Sequence, residues 1–127
     1  MMILECLLLT TTLCHAFKDK PVFALTALHA LTISADGWTT KQYMANHALG
    51  YEEDPVARVF VGRKPTNARM IASGTVLVLA EMYLTERMRT SRHKWARSIW
   101  WIPQTVTISI HISAIHANIR NDGIQLH

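Results

Sequence analysis

Four side chains in this 127-residue chain pair proton-handling chemistry with apolar surroundings: His29, Asp36, Glu81 and His111. A carboxylate takes up and releases a proton, and an imidazole does so near neutral pH. Asp36 closes fifteen consecutive residues, Pro21 to Ala35, that carry no formal charge. On a helix, positions seven apart return to nearly the same face, so His29 and Asp36 line up, with Thr40 one turn further on. By the same spacing Glu81 shares a face with Gly74 and Thr85, and Gln104, Thr107, His111 and Asn118 form a polar stripe. If these segments lie in lipid, the four residues are weak candidates for an intramembrane site. Asp36 and Glu81 would then be its carboxylates, and His29 or His111 its proton carrier or metal ligand. The plainer expectation is hydrogen bonding between helices, because Asp36 and Glu81 both lie within a few residues of a segment end and could reach interfacial water.

Other chemistry finds little support. His111 and His116 are five apart, on different faces of a helix, and neither HExxH nor HxxxH occurs, so no metal site is expected. Cys6 and Cys14 form no CxxC pair, and the chain has no GxSxG and no phosphate-binding glycine loop. No cofactor is called for, and an enzyme is the lesser expectation.

The elements that must position these residues are three apolar segments separated by two charged stretches. Half the residues are hydrophobic and only 17% are charged, against about a quarter in an ordinary soluble domain. Mean hydropathy is positive. The third segment, Ser98 to Ile119, has twenty-two residues with no Asp, Glu, Lys or Arg, enough to cross a hydrocarbon layer of about 30 Å. It is the best span candidate. Pro21 to Thr40 and Met70 to Thr85 are marginal spans alone. Within the third segment Val106, Ile108, Ile110 and Ile112 alternate with polar residues, which reads as a strand over 105–113. A helix is preferred, since lipid forbids an unpaired single strand. The fold expected is all-α: an integral membrane bundle of three transmembrane helices, with an additional hydrophobic segment at the N-terminus. Small residues recur every four positions, at Thr26, Ala30 and Ser34 and at Thr105, Ser109 and Ser113, a spacing that lets helices approach closely.

The formal net charge is +4, with a pI near 9.4. Arg87, Arg89, Arg92, Lys94 and Arg97 fall within eleven residues, next to Trp95, Trp100 and Trp101. That pairing suits the headgroups of anionic lipids, so these eight residues are the expected lipid-binding set. A soluble domain binding nucleic acid is the competing reading. It is set aside because the interface already accounts for the tryptophans that would make a stacking platform.

Residues 1–17 read as a hydrophobic segment or a signal peptide, with Ala16 at a position a peptidase could cut. Glu5 and the lack of an early Lys or Arg argue against cleavage, and the point stays open. Residues 18–127 then form one helical membrane domain. Orientation is open too: uncleaved, the positive-inside rule places 86–98 in the cytoplasm; cleaved, it places 41–69 there.

The loop "ADGWTTKQYMANHALGYEEDPVARVFVG" resembles that of small, uncharacterised multi-pass bacterial membrane proteins. Their first loop carries an Asp, a Thr pair, a Gly and then Glu-Asn-Pro. The matching residues are Asp36, Thr39, Thr40, Gly50, Glu53 and Pro55, with Asp54 in place of Asn. The resemblance implies a multi-pass protein of a bacterial inner membrane and no particular activity. The expected function is that of a structural or partner-binding membrane subunit, with a membrane enzyme or transporter using intramembrane carboxylates as the alternative. Lipids, a protein partner or a second copy are the expected partners.

Overall fold

Asp19 and Pro21 start the first long helix. Asp19 is extended and its side chain accepts the Val22 amide at 3.4 Å, while Pro21 occupies a first turn, where its missing N–H has no bond to lose. From there α1 runs Lys20–Asn46, and at its end the His47 amide donates to the Tyr43 carbonyl. Thr66 opens the second helix in the same way, accepting the Arg69 amide at 3.3 Å, and α2 runs Asn67–Arg89. A five-residue helix, α3 (Lys94–Ser98), is pinned to the preceding turn by the Arg97 guanidinium, which donates to the Ser91 carbonyl at 2.9 Å. The last helix, α4, runs Ile102–Asp122. This computed structural model describes residues 14–47, 58–59 and 61–122, of which 14–18 are also helical. Residues 1–13 and the loop positions Gly50, Glu53, Asp54 and Pro55 lie outside the described residues.

Among the described residues the chain is all-helical, with no strand. The alternating stretch 105–113 is part of α4. Every second residue on a helix is about 200° round the axis, so the alternation places branched residues on opposite faces. Ile108 is buried while Val106 and Ile110 are exposed. The third segment, expected to be helical from Ser98, instead breaks at residues 99–101. Pro103 cannot donate to the carbonyl of Ile99 and its ring crowds that group, so no continuous helix passes through it. Hydropathy also ranks the segments differently from uncharged length. Among the described residues α2 alone is both long and apolar enough to cross a membrane by composition, because Thr, Ser, His and Gln dilute α4.

The helices form an up-down-up bundle. α1 and α4 run parallel: Thr26 faces Gln104 and Thr40 faces Asn118, the same offset of 78 residues at both ends. α2 runs antiparallel to α1, with Asp19 paired to Arg89 at one end and Lys41 bonded to Asn67 at the other. α1 packs extensively on α4, less on α2, and α2 meets α4 only sparingly.

Gly74 sets the approach of α1 and α2. A Cβ built on it would lie 3.5 Å from Ile33 Cδ1, ordinary contact with no room beyond. Gly74→Ala should therefore be tolerated. Gly74→Leu should force the helices apart, at about 1 to 3 kcal/mol of overpacking. Thermal melting followed by circular dichroism would show it as a lowered midpoint for Leu and not for Ala.

The distribution of side chains is inverted. Among the described residues five apolar ones are buried, Ala16, Val22, Met82, Ala96 and Ile108, against six polar ones, Thr26, His29, Thr39, Thr85, Glu86 and Gln104. Meanwhile Leu31, Ile71, Val76 and Ile110 are each at least 60% exposed. Burying one such side chain away from water is worth about 1.5 to 3 kcal/mol. The small-residue stripes divide accordingly. Thr26 is buried but Ser34 is exposed, since steps of four drift by about 40° each on a helix. Ser109 and Ser113 line an open groove with Trp101, Val106 and Ile110, so within one chain that stripe does not mediate helix packing.

Candidate functional site

The inward faces of α1, α2 and α4 meet along a polar line. Nearest the α3 end, the Gln104 amide donates to Thr26 Oγ1 at 3.0 Å, and both residues are buried. At the opposite end, Asn118 Nδ2 donates to Thr39 Oγ1 at 3.1 Å and to Thr40 Oγ1 at 3.0 Å. These contacts are uncharged and hold α1 to α4.

Between them lie the four ionisable residues. His111 Nδ1 is 2.7 Å from Asp36 Oδ2, so one of the two atoms must carry a proton. Asp36 Oδ1 accepts the Thr40 hydroxyl at 3.4 Å. His29 is fully buried, its ring stacked on His111 with centroids 5.9 Å apart. Its Nδ1 lies 3.3 Å from Glu81 Oε2, within ion-pair range but without hydrogen-bond alignment. Glu81 Oε1 accepts the Thr107 hydroxyl at 2.5 Å. His29, Asp36, Glu81 and His111, chosen from spacing alone, thus converge from three helices into one cluster. The whole stripe Gln104, Thr107, His111 and Asn118 engages a neighbouring helix.

The cluster is not fully satisfied. Both ring nitrogens of His29, His111 Nε2 and Glu81 Oε2 are buried without a hydrogen-bond partner, and so are Thr85 Oγ1 and Glu86 Oε2 on the same side of α2. Buried polar atoms are nearly always bonded, so these six atoms among the described residues are where bonding capacity is left over. Among the described residues no group of three or more His, Cys, Asp and Glu side chains is arranged to hold a metal ion.

Sequence reasoning missed a second ionisable group. His15 Nδ1 lies 2.6 Å from Glu86 Oε1, and Arg89 Nε lies 2.7 Å from Asp19 Oδ2. The Arg89 guanidinium also sits 4.8 Å from the centroid of the Trp100 ring, which packs on the Ala16, Val22 and Met82 core. Asp19 was findable, since an Asp two residues before Pro21 is a helix-start signal. Glu86 was hidden by its charged neighbours.

The eight residues assigned to lipid headgroups separate. Arg87, Arg92, Lys94, Trp95 and Trp101 are exposed. Arg89 and Trp100 turn inward on each other, and Arg97 spends its guanidinium on backbone carbonyls of the preceding turn. Comparison adds no outside guide to this site. No family model, curated protein or solved structure matches the chain.

Proposed function

We propose that this chain is a small multi-pass membrane protein that works through the interior of its helix bundle, as a transporter or membrane enzyme using Asp36 and Glu81. The observation that carries the reading is the inverted distribution: apolar faces outward, titratable and hydroxyl side chains inward. In lipid the outward Leu, Ile and Val faces need no protein partner, and the inward polar groups find one another. The apolar length of α2 supports the same environment. A purely structural subunit would need only the uncharged contacts, Thr26 with Gln104 and Asn118 with Thr39 and Thr40. Ionisable groups are costlier in a bilayer than amides or hydroxyls making equivalent bonds, so two histidine–carboxylate pairs between those contacts argue for a working site.

A tagged chain is expected to stay with membranes in alkaline carbonate and to leave them only with detergent. Release by carbonate alone would defeat the membrane reading.

The α3 end also carries an expectation about lipids. With Arg87, Arg92 and Lys94 free, each contributing about 1 kcal/mol near an anionic surface, replacing all three with Gln should weaken binding to anionic liposomes about a hundredfold. Neutral liposomes should show no such change. Stronger binding of the purified protein to duplex DNA than to anionic liposomes at physiological salt would reverse the assignment.

A further inference from the structure

We propose that the buried cluster is a proton path running the length of the bundle, so that the substrate handled by this interior is the proton itself. The inference rests on the membrane reading above and goes further by naming the cargo and its route. Three observations carry it. The first is order along the axis: Asp36, His111, His29 and Glu81 form a sequence of contacts at 2.7 Å, 5.9 Å between ring centroids and 3.3 Å. The second is the pattern of exposure. Asp36, His111 and Glu81 are partly open, at 18%, 15% and 15%, while His29 is sealed at 0%. The third is continuation. The unpartnered Thr85 Oγ1 lies one helical turn beyond Glu81, then the unpartnered Glu86 Oε2, and Glu86 touches His15, whose side chain is 67% exposed.

From Asn118 and Thr40 to Asp19 and Arg89 this line covers about 32 Å of α1 at about 1.5 Å per residue, comparable to a hydrocarbon core of about 30 Å. The charged and titratable groups facing it are His29, Asp36 and Asp19 from α1, Glu81, Glu86 and Arg89 from α2, His111 from α4, and His15 from the segment before α1. A proton enters from water onto Asp36 and passes from Oδ2 to His111 Nδ1. The imidazolium releases its Nε2 proton to a water at the edge of the two rings, which protonates His29 Nε2. His29 then gives a proton from Nδ1 to Glu81 Oε2. Waters relay it past the Thr85 hydroxyl to Glu86, and His15 returns it to solvent. One proton enters, one leaves, no electrons move, and reorientation of the rings resets the path.

The test uses the full-length chain reconstituted in lipid vesicles that hold a pH-sensitive dye, with a potassium diffusion potential driving protons. Wild-type vesicles should acidify well above empty ones. Asp36→Asn and Glu81→Gln keep the hydrogen-bonding shape but carry no proton, and each should cut the flux about a hundredfold or more. Ser113→Ala, exposed on α4, should leave it unchanged. Wild-type flux no greater than that of empty vesicles overturns the path even if both variants fold poorly, and so do Asn and Gln variants that conduct like wild type. Flotation of the same vesicles separates the failures. A chain that floats with lipid but passes no protons sinks the path alone, whereas one that stays out of the lipid fraction sinks the membrane reading and the path together.

Discussion

On the proposed membrane reading, replacing Ile110 with arginine is expected to keep α4 out of the membrane in a large share of molecules. Ile110 sits near the middle of the 21-residue α4, 60% exposed on the face turned away from α1 and α2. No carboxylate of the bundle interior lies on that face to receive the new charge. An arginine at a helix centre costs about 2.5 to 3.5 kcal/mol on insertion scales, a shift of roughly a hundredfold in the insertion equilibrium. Ile110→Leu is the matched control and should insert like wild type. Glycosylation sites placed after α4 would report the outcome as a change in which side of the membrane receives the C-terminal segment. Unchanged insertion of the arginine variant would mean that this face meets water or protein instead of lipid.

The second large effect is expected at the histidine–aspartate pair. His111→Leu removes the partner that Asp36 Oδ2 has among the described residues and leaves a half-buried carboxylate with the Thr40 hydroxyl as its remaining side-chain donor, a loss of about 1 to 3 kcal/mol. The double variant His111→Leu with Asp36→Leu replaces both members by apolar side chains of similar bulk, which should restore most of that stability. The single variant is thus predicted to be less stable than the double, measurable as unfolding midpoints in mixed micelles. A double variant as unstable as the single would show that Asp36 was not the group stranded. Loss of function together with restored stability in the double variant would separate the chemistry of the pair from its packing.

Much of this was legible in the sequence because helical periodicity is strong evidence for which residues share a face. His29 with Asp36, and the stripe from Gln104 to Asn118, needed only spacing to identify. The all-helical class followed from uncharged length together with the impossibility of a lone strand in lipid. What stayed hidden depended on relations between helices. Nothing in the local pattern says that α1 and α4 lie parallel, which is what brings His111 beside Asp36. Arg89 and Trp100 looked like members of a surface cluster because composition cannot tell which residues of a basic run turn inward. Thr105, Ser109 and Ser113 have the spacing of a packing seam, yet face outward, because spacing defines a face without choosing the neighbour it meets. Ser98 to Trp101 read as part of a helix because lack of charge was weighed there and the position of Pro103 was not.

The parallel course of α1 and α4 has an electrical consequence. Each helix carries about half a positive charge at its start and half a negative charge at its end. Two starts and one finish gather at the Asp19 and Arg89 end, so the three contributions leave one uncancelled, positive there and negative beside Asn118. In a medium of low dielectric this polarises the interior along its axis, and the basic residues after α2 add to the same sign. An excess positive charge inside the bundle would therefore rest more easily toward the Asn118 end than beside Arg89.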